Sequence, residues 1–206
     1  MITSSDLGIS VTTGFSKLRL STPPSLTPVS VAEAKVHLRI DSSFTDDDTY
    51  IGTLIDVATL AAENYTNLAI MEQTFNLDID AFPDYFNLLK GQLRVLTVNS
   101  ITYKDENNAS QTLAASNYVG DGTIKPARIY YTPDATIPST FEIPNAVVVN
   151  FTMGCTAASQ VPAPIKQAIL LMIGTYYETR QTVSDRTFKE IPQSAEFLLM
   201  PYRVQG

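Results

Sequence analysis

Two helical segments near opposite ends of the chain frame a long strand-like middle, and any fold must bring those ends together. The first is PVSVAEAKVHLRI (28–40) followed by TDDDTYIGTLIDVATLAAENYTN (45–67). The second is VPAPIKQAILLMIGTYYETR (161–180), followed by a tail that closes in FLLMPYRV (197–204). Ser30 and Glu33 form a capping box, so a short helix starts at Ser30 and ends near Arg39 or Ile40. A second helix starts near Thr45, which can cap it, with Asp46, Asp47 and Asp48 at the positive end of its dipole. Ile51, Leu54, Ile55, Ala58, Ala61, Ala62 and Tyr65 repeat at the spacing of one helix face. The third helix follows Pro162 and Pro164, residues suited to a first turn, with Ile165, Ala168, Ile169, Met172, Ile173 and Tyr176 as its apolar stripe.

The middle changes period. QTFNLDID (73–80), QLRVLTVNSITYKD (92–105), ARIYYT (127–132) and NAVVVNFTMG (145–154) are short β-rich runs broken by turn clusters such as DENNAS (105–110). The fold class is therefore α+β. Residues 28–72 and 161–183 make a helical body, 73–160 are an inserted antiparallel sheet or sandwich, and 184–206 form a loop, a short helix stopped by Pro201 and a tail. Residues 1–27 are Ser-, Thr- and Pro-rich and read as an extended arm, ordered only where a neighbour receives it.

Composition removes several function classes. No apolar run approaches the roughly 18–20 residues a membrane-spanning helix needs, and the first residues lack a basic and apolar leader, which points to a cytoplasm and no membrane partner. Lys and Arg number 14 against 21 Asp and Glu, a net charge of -7, with no basic cluster to hold phosphates. An acidic wall would instead let DNA slide past without trapping it. Cys155 is the only cysteine and His37 the only histidine, so neither a disulfide nor a zinc set can form within one chain. Cys155 reads as a small buried apolar residue near a strand end, and His37 as a surface or packing residue. Consecutive helical carboxylates diverge, so Asp46, Asp47 and Asp48 read as dipole partners rather than a cation site. Asp78 and Asp80 share one strand face and read as a solvated pair, with a carboxylate hydrolase as the enzymatic alternative. No nucleophile motif, glycine-rich phosphate loop or cofactor signature is present.

The run PVSVAEAKVHLRI, then DDDTYIGTLIDVA (46–58), ENYTN (63–67) and EQTF (72–75), resembles the head–tail connector, or adaptor, proteins of long-tailed bacteriophages. The larger subfamily with a β insertion fits best. The Pro-led third helix and the closing Leu-Leu-x-Pro-Tyr-Arg-Val extend the resemblance across residues 28–204. The arm before Pro28 is longer than the family pattern, and Gly154-Cys155 stands where Gly-Tyr often does. The resemblance implies a structural virion protein with no catalysis and no cofactor: a ring of twelve copies beneath the portal at the capsid vertex. Such a ring extends the channel for double-stranded DNA and meets a stopper or tail protein. It would assemble in the host cytoplasm. On this reading Ile51, Leu54, Ile55, Ile169, Met172, Tyr176, Tyr177 and Arg180 meet neighbouring subunits. Phe197, Leu198, Leu199, Pro201, Tyr202 and Arg203 dock on the portal, and Asp46, Asp47 and Asp48 face the channel. A stopper or tail terminator of the same neck is the other structural reading; the strong helical stripes count against its mostly β build.

Overall fold

The computed structural model describes residues 16–179 and 191–204. In chain order it runs β1 (Lys17–Thr22), α1 (Val31–Leu38), α2 (Asp48–Thr66), β2 (Leu68–Ala69), β3 (Gln73–Ile79), β4 (Phe86–Asn87), β5 (Gly91–Gln92) and β6 (Val95–Lys104). It continues through β7 (Ser110–Thr112), β8 (Tyr118–Asp121), β9 (Arg128–Tyr131), β10 (Val147–Gly154), α3 (Ala163–Glu178) and α4 (Gln193–Leu199).

Local chemistry sets the helix ends. The Glu33 N–H donates to Ser30 Oγ at 3.2 Å, and the Ser30 N–H donates to Glu33 Oε2 at 2.8 Å, closing the capping box in both directions. At the other end of α1, Arg39 adopts a left-handed φ of 59°. Its N–H reaches Val36 O, and the Ile40 N–H reaches Lys35 O, a Schellman stop built without glycine. α2 starts later than the sequence suggests. Asp47 takes the N-cap position without a side-chain cap, and Thr45 contributes only its carbonyl to a turn with Asp48. The two carboxylates are engaged elsewhere: Asp48 pairs with Lys35 of α1, and Asp47 accepts from the Tyr177 hydroxyl of α3.

α2 and α3 form the centre of the helical layer, with Ile51, Ile55, Ala58, Ile165, Ile169, Met172 and Ile173 in one buried cluster. α1 lies along the 166–170–174 row of α3. Lys166 Nζ sits 3.3 Å from Glu33 Oε1, and the His37 ring covers Gly174, whose missing Cβ would lie 3.5 Å from Nε2.

The inserted strands make a sandwich. Its larger sheet has the order β1-β3-β10-β6-β7, antiparallel throughout, and its smaller sheet the order β4-β9-β8. Alternation along β3 and β10 aims Phe75, Leu77, Val149 and Phe151 inward, where they meet Phe86, Leu88 and Ile129. Phe75 and Phe151 face each other in register with ring centroids 5.8 Å apart.

The expected arm is partly sheet. Lys17–Thr22 pairs with β3 in its own chain, where it covers what would otherwise be an open edge. Residues 1–15 of that arm lie outside the described residues, as do 184–190 of the expected loop.

Candidate assembly surfaces

The seam between helices and sandwich is built from backbone. The chain leaves α2 through Asn67, in the left-handed region at φ 54°, and re-enters the helical layer beside that exit. Met71 bridges Cys155 in parallel, the Cys155 N–H donates to Ile70 O at 2.9 Å, and the Glu72 N–H donates to Cys155 O at 2.9 Å. Gly154 permits this crossing. Its φ is 119°, and a Cβ there would overlap the Met71 carbonyl. Under the seam lies Glu63, 7% exposed. Its Oε1 accepts from the Ile70 N–H and from Gln73 Nε2, both at 2.7 Å. Burial raises its carboxyl above the usual carboxylate range, against the pull of those bonds and of Lys90. Burial also lowers Lys90, while Glu63 opposes that shift.

The paired carboxylates do not form a solvated face. Asp78 is buried and held by the Arg19 guanidinium, with Nη2 2.8 Å from Oδ1, because β1 lies over it. Asp80 accepts the Asn145 N–H at 2.9 Å. Each carboxylate is thus committed to a structural bond. Among the described residues, no group of three or more His, Cys, Asp or Glu converges as metal ligands. Cys155 is fully buried, and burial raises its thiol.

The expected subunit contacts need correction. Ile51, Leu54, Ile55, Ile169 and Met172 are between 0% and 7% exposed, spent on the chain's own core. Tyr176 and Tyr177 are half-buried; Tyr177 also meets the Tyr50 ring at 6.1 Å between centroids. Arg180 lies outside the described residues. The large apolar groups that α1 and α2 present outward are Val36, Val57 and Leu60, at 80%, 49% and 59% exposure. The signal for the α2 pair was in the sequence: both fall off the apolar stripe, where a monomer has no use for them.

The tail divides the same way. α4 ends at Leu199, just before Pro201 as expected, and passes into a 3₁₀ turn at Met200–Tyr202 that contains the proline. Leu199 is fully buried, which removes it from the expected docking set. Leu198 and Tyr202 are half-buried against the helical core. Arg203 lies over the Tyr65 ring, and the Val204 N–H donates to Thr66 O at 2.8 Å. Phe197, Pro201 and Arg203 remain exposed, joined by Met200. Of the acidic trio, Asp46 is exposed, while Asp47 and Asp48 are engaged by α3 and α1.

With this geometry in view, the model of the phage gp6-like head-tail connector proteins matches residues 28–128, from the lead of α1 to the start of β9. The chain belongs to the phage head–tail connector family. The connector's likeness to solved structures runs further along the chain. A chain from the neck of an empty gene transfer agent (GTA) particle, computed with C6 symmetry, is 23% identical, with a TM-score of 0.75 over 92% of this chain and 96% of that one. A chain from the native GTA virion gives 23% and 0.71 over the same shares. One from the native GTA neck, computed with C12 symmetry, gives 22% and 0.69, again over 92% and 96%. These likenesses establish a common fold over 92% of the chain. No curated protein matches the connector's sequence.

Proposed function

We propose that this connector is a ring-forming structural subunit of a virion neck, placed beneath the portal and without catalytic activity. Twelve copies would extend the channel for double-stranded DNA and offer the far rim to a stopper or tail protein. The observation that carries this reading is the family match, continued by a fold shared over 92% of the chain with a neck protein of GTA particles. The symmetry used for those particles supports a ring. The engaged states of Asp78 and Asp80 speak against the hydrolase alternative. Within the ring, the exposed part of the tail, Phe197, Met200, Pro201 and Arg203, is the surface we assign to the portal. Asp46 is the member of the acidic trio we assign to the channel.

Native mass spectrometry of the purified chain, alone and mixed with its portal, tests this. The expected result is a ring, or a monomer that adds one copy per portal subunit. A chain that stays monomeric and ignores the portal at every salt and concentration sinks the proposal.

A further inference from the structure

A closed ring of identical copies needs two different, complementary faces on each subunit. The helical body carries two faces of that kind. One is the outer stripe of α2, where exposed Thr53, Asp56, Val57, Leu60 and Asn64 follow helical spacing on the side opposite the buried Ile51, Leu54, Ile55 and Ala58. The other is an open groove of about 440 Å³ between α1 and α3, lined by Ala32, Glu33, Val36, His37 and Leu170. The groove exists because α1 rests on the 166–170–174 row of α3 and leaves Leu170 visible beside Val36.

The charges are complementary. α2 contains no lysine or arginine, and Asp56 is the charged group of its outer stripe. At the groove, Glu33 is held by Lys166, while Arg39 stands exposed one turn beyond Val36, fixed by the left-handed stop of α1. Lys166 thus offsets Glu33 at the groove, and Arg39 at the end of α1 carries a charge opposite to that of Asp56 on the α2 stripe. The two faces also point in different directions, because the α2 stripe turns away from α3 while the groove opens beside it. That arrangement makes a head-to-tail contact, not a two-fold one.

We propose that the outer stripe of α2 seats in the α1–α3 groove of the next copy. Val57 and Leu60 pack on Val36 and Leu170, and Asp56 faces Arg39. The inference rests on the ring reading above and names the surface that closes the ring. Val36 and Leu60 are each more than half exposed in one chain, so substitutions there leave the monomer's core intact. A neighbour covering them removes apolar area from water and places an ion pair at the rim of a drying surface.

The test uses the full chain assembled on its portal. Val36→Cys and Leu60→Cys are made singly and together; Cys155 stays in place because it is fully buried. A short bis-maleimide is expected to convert the double variant into a ladder of covalent oligomers, while each single variant gives none. Leu60→Asp is expected to lower ring assembly at least tenfold with an unchanged melting curve. Asp56→Arg is expected to weaken assembly, and Arg39→Asp added to it to restore assembly. A ring that forms on the portal without the ladder, together with normal assembly of Leu60→Asp, overturns the interface and leaves the proposed function standing. Failure of the wild-type chain to form any ring overturns both.

Discussion

The outer face of the larger sheet and the outer face of α2 are both open to water, and they solve that exposure in opposite ways. The sheet bonds to itself. Thr74 and Thr152 hydroxyls meet at 2.9 Å, Asn150 Nδ2 donates to Asn76 Oδ1 at 2.6 Å, and Asn99 Nδ2 donates to Asn150 Oδ1 and Thr152 Oγ1 at 2.8 and 2.9 Å. Asn99 reaches them from the irregularity where β6 shifts register against β10. This cross-strand ladder satisfies its own polar groups and offers a partner little apolar area. α2 instead leaves Val57 and Leu60 in water. Within one subunit, then, that sheet face is finished and the outer face of α2 is not. Assembly should depend on the helices, while the insertion keeps its shape independently, provided the seam holds.

The seam is where that division breaks first. Gly154→Ala puts a Cβ into the Met71 carbonyl and within 2.8 Å of Glu72 N, at a φ that disfavours any L side chain. The expected cost is about 3 kcal/mol or more, because both backbone and Met71 must move. Urea titration read by circular dichroism measures it. A loss below about 1 kcal/mol would mean that the crossing at Met71 and Cys155 is looser than described.

Glu63 gives the next largest effect, and one with a pH signature. Its native carboxyl titrates above the ordinary range because burial outweighs its two hydrogen bonds and Lys90. The native state therefore holds a proton that the unfolded chain has already released. Stability is full below the unfolded glutamate value and declines as pH rises through the raised native one. Glu63→Ala strands the Ile70 N–H and the Gln73 amide and should cost about 1–3 kcal/mol. Glu63→Gln keeps an acceptor for both without the buried charge. It should match or exceed the parent at pH 7 and flatten the decline. Melting curves from pH 4 to 8 decide the matter; a Gln variant with the parent's slope would place the titrating group elsewhere.

What sequence could anticipate follows the range of the interaction. The Ser30–Glu33 box is an i, i+3 bond, and the stripes of α2 and α3 are periodic within one helix, so both are visible locally. β1 is not: Leu18 and Leu20 are its only apolar residues, and its partner is β3, across both helices. Asp78 looked solvated because nothing near it in sequence marks Arg19 as its cover. Five of the expected subunit-contact residues prove to be core for a different reason. Periodicity shows that Ile51, Leu54, Ile55, Ile169 and Met172 are buried, but not whether the burying surface belongs to the same copy. The residues that break the period, Val57 and Leu60, carry that information. In the tail, α4 turns Leu199 inward and Phe197 outward, a split that a continuous apolar run conceals.

The smallest expected effect tests how α1 sits beside the groove. Gly174 lies inside α3, where glycine is roughly 1 kcal/mol less favourable than alanine. Its neighbour is His37, and a Cβ would find Nε2 at 3.5 Å and Cδ2 at 3.8 Å, ordinary contact distances. Close approach of α1 therefore does not require the glycine. Gly174→Ala should stabilise the chain by up to about 1 kcal/mol, and for a chain of this size that raises the melting temperature by roughly 2–4 °C. A lower melting temperature would show that His37 presses closer to α3 than this. α1 and its groove would then belong with the tightly fitted sandwich rather than with the unfinished helical face.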